Sequence, residues 1–189
     1  MTGPSKFPVM VLVGLAVLLF SIQSQAAVKD GWYAQGGTGG TFDTEMGGTS
    51  GTDLGINAHA AIGYDAGKMG VRTSFYYAAP GLSTGGVTEI FGGSLDLKLY
   101  FIEMLMGEQN RADKFCHPYL IFGIGGYHTD IGGSPGFGGN VKIGTDLKVT
   151  DTISFAMETG LRPLLLTGGP GTTDLILFDF MAILTYHFS

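Results

Sequence analysis

The last stretch of the chain, 178–188, constrains the fold more than any other segment. Every second residue back from Phe188 gives one face: Phe188, Tyr186, Leu184, Ala182, Phe180 and Phe178. The other face carries His187, Thr185, Ile183, Met181 and Asp179. This is the period of a β-strand with one aromatic-rich apolar side and one partly polar side. Aromatics at both ends with aliphatic residues between them fit a strand that crosses lipid, its rings at the two interfaces. Tyr186 and Phe188 are the residues expected to act as a C-terminal assembly signal.

Residues 1–26 read as a cleavable signal peptide. Lys6 supplies the positive start, Val9 to Phe20 an apolar core, and Ser24, Gln25 and Ala26 a small-x-small cleavage site. The remainder, 27–189, reads as one domain. Beyond the signal no apolar run reaches the length of a membrane helix, about 18 residues or more. Yet 44% of the residues are hydrophobic and only 14% charged, which is poor in charge for a water-soluble domain. Strands, rather than helices, must carry this apolar surface.

Strand-like segments and turn signals alternate at 31–42, 53–64, 69–79, 88–101, 117–128, 139–149, 153–166 and 174–188. Each exceeds the roughly 9–11 residues a tilted strand needs to cross a bilayer. An even set of eight amphipathic strands predicts an all-β fold, an eight-stranded antiparallel up-and-down transmembrane β-barrel. Closure follows because an open edge would leave backbone donors and acceptors unpaired in lipid. Short turns near 65–68 and 150–152 fall on one side. Longer Gly, Ser, Thr and Pro-rich segments at 43–52, 80–87, 129–138 and 167–173 fall on the other and read as surface loops. The polar connection 103–115 is assigned no role beyond solvation.

Pairing Val149 with Ile153 sets Leu147 against Phe155, Thr145 against Met157, Ile143 against Thr159 and Val141 against Leu161. Pairing Tyr64 with Met69 sets Ile62 against Val71 and Ala58 against Phe75. The opposite, inward faces then carry Arg72, Asp96, Lys98, Lys142, Asp146, Lys148, Glu158, Arg162 and Asp179. An eight-stranded lumen is only wide enough for side chains to fill, and unpaired charges there are costly. An interlocked polar plug is therefore expected, with Arg162 and Asp179 close across the last hairpin and Glu158 diagonal to Lys142.

Catalytic, metal and nucleotide chemistry find little support. His59 is expected opposite Ser74, with Asp96 on the adjacent strand, but a nucleophile sealed in a filled lumen has no substrate access. At the rim, His128 and Asp130 form the one candidate dyad, without a matching serine. The histidines at 59, 117, 128 and 187 have no metal-ligand spacing. Gly123 to Gly126 and Gly36 to Gly40 lack the Lys-Ser/Thr of a phosphate loop and read as strand glycines. The single cysteine, Cys116, reads as a small apolar residue near a strand start. Net charge is −6, and −7 once Lys6 is removed, which does not suit a nucleic-acid partner. No cofactor is expected.

The chain resembles the OmpA-like small outer-membrane barrel superfamily. The likeness rests on Gly31-Trp32-Tyr33-Ala34-Gln35-Gly36-Gly37 opening the first strand and on the run from Pro118 to Gly126. The strand from Gly144 to Asp151, ending in a tight turn, and the aromatic C-terminus complete it. The resemblance implies a monomer in the bacterial outer membrane with both termini periplasmic. It also implies contact with outer-membrane lipids and lipopolysaccharide, and with the barrel-assembly machinery and periplasmic chaperones during biogenesis. Together with the residues, it points to a non-enzymatic envelope-structural or surface-interaction role. The alternatives are a narrow channel or carrier for small solutes through the charged lumen, and a lipid A-modifying enzyme at the outer rim.

Overall fold

The computed structural model describes residues 30–45, 54–79, 89–106, 115–129, 135–166 and 173–188. The signal-peptide reading, at least half of each surface loop and the polar run 108–114 lie outside the described residues. Within them, eight strands form a closed barrel in sequence order, each hydrogen-bonded antiparallel to the next and the last to the first. They are β1 (Gly31–Glu45), β2 (Gly55–Ala66), β3 (Met69–Ala79), β4 (Ile90–Leu99), β5 (Cys116–Thr129), β6 (Pro135–Lys148), β7 (Ile153–Leu166) and β8 (Thr173–His187). One short helix, α1 (Phe101–Met106), follows β4.

Strict alternation drives the closure. In β2 buried and exposed residues alternate from end to end, so each strand presents one set of side chains outward and the other inward. The outward set is apolar and includes Ile62, Phe75, Leu95, Ile124, Phe137, Leu161 and Leu184, all exposed. The inward set is mostly polar. At the end of the barrel that holds both termini, Trp32 and Tyr64 meet edge to face at 5.4 Å, as do Tyr186 and Phe188.

The β6–β7 hairpin has the register expected from its tight turn, with Leu147 against Phe155 and Val141 against Leu161. The β2–β3 hairpin is shifted by two residues from the expected register. Tyr64 faces Val71 and Ile62 faces Thr73, because Ala66 and Met69 close the ladder around Gly67 and Lys68. Gly67 makes this two-residue turn in the left-handed region, φ 59°, which a side chain would disfavour. A slip of two leaves every side chain on its original face.

Helix α1 is a correction to the solvated connection expected at 103–115. Tyr100 donates its backbone N–H to Lys68 O at 2.9 Å, and α1 packs against β5. Glu103 is buried and sits 2.6 Å from His117 Nδ1. β4 ends at Leu99, and Glu103 is buried against His117 of β5 although it lies outside any strand.

Candidate functional site in the barrel lumen

The inward side chains form three polar levels. The middle level centres on Arg72 of β3. Its Nε lies 2.9 Å from Asp96 Oδ2, and its two terminal nitrogens meet Glu158 Oε1 and Oε2 at 2.6 and 3.1 Å. Asp96 also accepts hydrogen bonds from Ser74 Oγ at 2.8 Å and Asn140 Nδ2 at 2.9 Å. Glu158 accepts one from Tyr119 Oη at 3.0 Å, and Lys142 Nζ stands 3.5 Å from its other oxygen. A planar guanidinium suits this two-carboxylate bridge because its donors diverge in a fixed fork.

Toward the termini, Lys98 Nζ contacts Asp146 Oδ2 at 2.6 Å and Asp65 Oδ2 at 3.9 Å. Three tyrosine rings surround it, with centroids at 4.1 Å for Tyr119, 4.7 Å for Tyr100 and 5.5 Å for Tyr33. The aromatic faces add attraction to a cation already paired with carboxylates. The Glu103–His117 pair lies next to this level, its imidazole edge-on to Tyr100.

Toward the loops, Arg162 Nε reaches Asp179 Oδ2 at 3.3 Å and its Nη1 donates to Tyr127 Oη at 2.6 Å. Asp179 Oδ1 accepts from Tyr76 Oη at 2.7 Å and from Asn57 Nδ2 at 3.2 Å. The Arg162 guanidinium also stacks on Tyr76, 3.7 Å from the ring centroid. Above it, Ala78, Ile90, Leu164, Leu175 and Leu177 form an apolar cluster with the two tyrosine rings.

Eight of the nine residues expected in the lumen are buried there: Arg72, Asp96, Lys98, Lys142, Asp146, Glu158, Arg162 and Asp179. Lys148, the last residue of β6, stands at the mouth of the lumen: its side chain is 17% exposed, and its ammonium pairs with the exposed Asp151 of the turn at 2.8 Å. Asp65, Asn57, Asn140 and the tyrosines at 33, 76, 100, 119 and 127 complete the network. Inward parity reaches all of them, Tyr100 included, since it continues the series Ser94, Asp96 and Lys98, and Asp65 lies inward because β2 continues past Tyr64.

The His59, Ser74 and Asp96 set is not assembled. Ser74 bonds to Asp96, but the two-residue shift puts His59 opposite Tyr76 and Ser74 opposite Ala61. His128 rests its ring against Phe91 at 5.0 Å, and Asp130 lies outside the described residues. Cys116 Sγ lies 2.8 Å from Thr145 Oγ1. Among the described residues no group of three His, Cys, Asp or Glu is arranged to hold a metal ion. Tyr186 and Phe188 both face outward, half exposed.

No family profile matches the chain, and no curated protein sequence matches it. Solved structures do. Neisserial surface protein A superimposes with a TM-score of 0.64 at 14% identity, over 83% of this chain and 97% of that one. Ail, the attachment invasion locus protein of Yersinia pestis, gives 0.49 at 13% identity, over 85% and 100%. The outer membrane protein OprG of Pseudomonas aeruginosa gives 0.49 at 15%, over 86% and 98%. With its eight antiparallel strands closed in sequence order, the chain has the fold of the small eight-stranded outer-membrane β-barrels.

Proposed function

We propose that this protein is a non-enzymatic integral barrel of the bacterial outer membrane, closed to ions, with an envelope-structural or surface-interaction role. The observation that carries the reading is the Arg162–Asp179 clamp, tied to Tyr76 and Tyr127 and covered by the apolar cluster around Ile90, Leu164 and Leu177. A conducting pore needs a continuous polar path, and here an apolar layer lies over a saturated ion pair. The apolar outer face supports residence in lipid, since a water-soluble protein rarely exposes so large an apolar surface. Short turns on the side of the termini support a periplasmic position for both ends. Outer-membrane lipids and lipopolysaccharide are then the immediate partners, and the loops carry any recognition.

Single-channel recording on the refolded protein in a planar bilayer tests this reading. Folding is checked first by β-sheet circular dichroism and heat-dependent gel mobility. A folded, silent barrel is expected. Reproducible ion steps that change when Asp179 is replaced by Asn would overturn the closed reading in favour of a narrow channel. The lipid-modifying alternative predicts altered lipid A on expression that disappears in His128→Ala; the tilted contact of His128 with Phe91 gives it no support.

A further inference from the structure

The polar groups of the lumen divide by wall. On β3, β4, β6 and β7 the carboxylates and cations saturate one another, as described above. On the wall formed by β8, β1 and β2 the carboxylates Asp179 and Asp65 are paired too, but several neutral groups are not. Gln35 Nε2, both ring nitrogens of His59, Thr185 Oγ1 and Tyr33 Oη are buried without a hydrogen-bond partner among the described residues. The register draws them together. Gln35 is directly opposite Thr185 on β8 and Ala61 on β2, while His59 is opposite Gly37, two residues along β1 from Gln35.

The same patch has room. Ala61 contributes almost no bulk, and Gln35 (8% exposed), His59 (5%), Ala61 (5%) and Thr185 (4%) keep more accessible surface than Arg72 and Arg162 at 1%. Buried polar groups in native proteins are paired with protein or with ordered water, and each one left unmade costs about 1–3 kcal/mol. A neutral imidazole asks for one donor and one acceptor, an amide nitrogen for acceptors, and a hydroxyl for either. Water meets all three demands and brings no net charge. A cation would face the like charges of Arg72, Lys142 and Arg162.

We propose that the β8–β1–β2 wall is a binding site for a short file of ordered water molecules bridging Gln35, His59 and Thr185. The site does not depend on whether the barrel conducts ions, because Gln35, His59 and Thr185 take no part in the Arg162–Asp179 clamp.

Solid-state NMR of the lipid-embedded protein, labelled with ¹⁵N at His and Arg, tests the site by polarisation transfer from water. The His59 ring nitrogens, assigned by their loss in His59→Gln, are expected to gain signal several-fold faster than the guanidinium nitrogens of Arg72 and Arg162. Ala61→Leu, which fills the gap, is expected to slow that transfer several-fold while heat-dependent mobility shows an intact barrel. Thr185→Val removes one bridging hydroxyl at equal volume and is expected to slow it as well if Ala61→Leu fails to fold. Transfer to His59 no faster than to Arg72 in the unaltered protein would overturn the proposal. So would transfer unchanged in a folded Ala61→Leu barrel.

Discussion

The Arg72 guanidinium and the Glu158 carboxylate meet at two points, Nη1–Oε1 at 2.6 Å and Nη2–Oε2 at 3.1 Å, across the lumen from β3 to β7. Arg72 also holds Asp96, so Arg72→Met strands two buried carboxylates at once. Removing one partner of a buried pair costs about 3–5 kcal/mol, and Lys142, 3.5 Å from Glu158, recovers only part of it. Urea unfolding in lipid vesicles, followed through the single tryptophan, is expected to show a lower midpoint for this variant. Lys148→Met serves as the contrast. Its partner is exposed at the turn, and such pairs are worth about 0–1 kcal/mol. Equal midpoints for the two variants would contradict the tiered network.

Two glycines of adjacent strands should respond in opposite ways. At Gly144 an added methyl group would meet the ring of Tyr119, which lies flat over the missing side chain. Because that ring also bonds Glu158 and covers Lys98, it has no free direction to retreat. Gly144→Ala is therefore expected to destabilise by about 1–3 kcal/mol, the usual cost of overpacking. At Gly126 nothing lies within 4 Å of the added carbon. Gly126→Ala is expected to be neutral or to stabilise by about 0.4–1 kcal/mol, through the unfolded chain. The same unfolding assay decides both.

Those contrasts show which parts of the structure were legible in the residues. Period-2 alternation identifies the inner and outer faces, and a tight turn such as 150–152 fixes its hairpin register, since Val149 and Ile153 close it directly. The β2–β3 turn misleads by two residues because Gly67 and Lys68, rather than a four-residue loop, make the reversal. Pairs on neighbouring strands are legible from hairpin register, as Arg162 with Asp179 and Glu158 with Lys142 show, but which groups meet across the lumen is not. Arg72 and Glu158 are 86 residues apart, and their meeting depends on barrel tilt and stagger, which belong to the closed sheet as a whole. Glu103 gives no signal either, since it follows β4 and obeys no strand parity.

The Glu103–His117 contact makes α1 a docked element rather than a free connection. Glu103→Ala leaves His117 without this carboxylate, and a lost buried polar contact costs about 1–3 kcal/mol. The barrel strands do not depend on α1, so the loss should appear locally. Limited proteolysis is expected to cut near 101–115 faster in Glu103→Ala, while heat-dependent gel mobility of the barrel is retained. Unchanged cleavage would show that α1 is held by its apolar contacts with β5 alone.

Trp32 tests where the lipid boundary lies. It stands on the outer face at the start of β1, 59% exposed, edge-on to Tyr64. The backbone of Phe188 donates to Trp32 O at 2.9 Å, so the ring sits level with the aromatic end of β8. Indoles prefer the membrane interface, where the ring is in an apolar setting and the N–H finds water or headgroups. Trp32 fluorescence in vesicles of brominated lipids is therefore expected to be quenched more strongly by bromine near the carbonyl end of the acyl chains than near the terminal methyl. The opposite order would place this end of the barrel deep in the bilayer and would require the apolar belt to be shifted along the strands. Quenching by neither lipid would remove Trp32, and with it the ring of Trp32, Tyr64, Tyr186 and Phe188, from the membrane boundary.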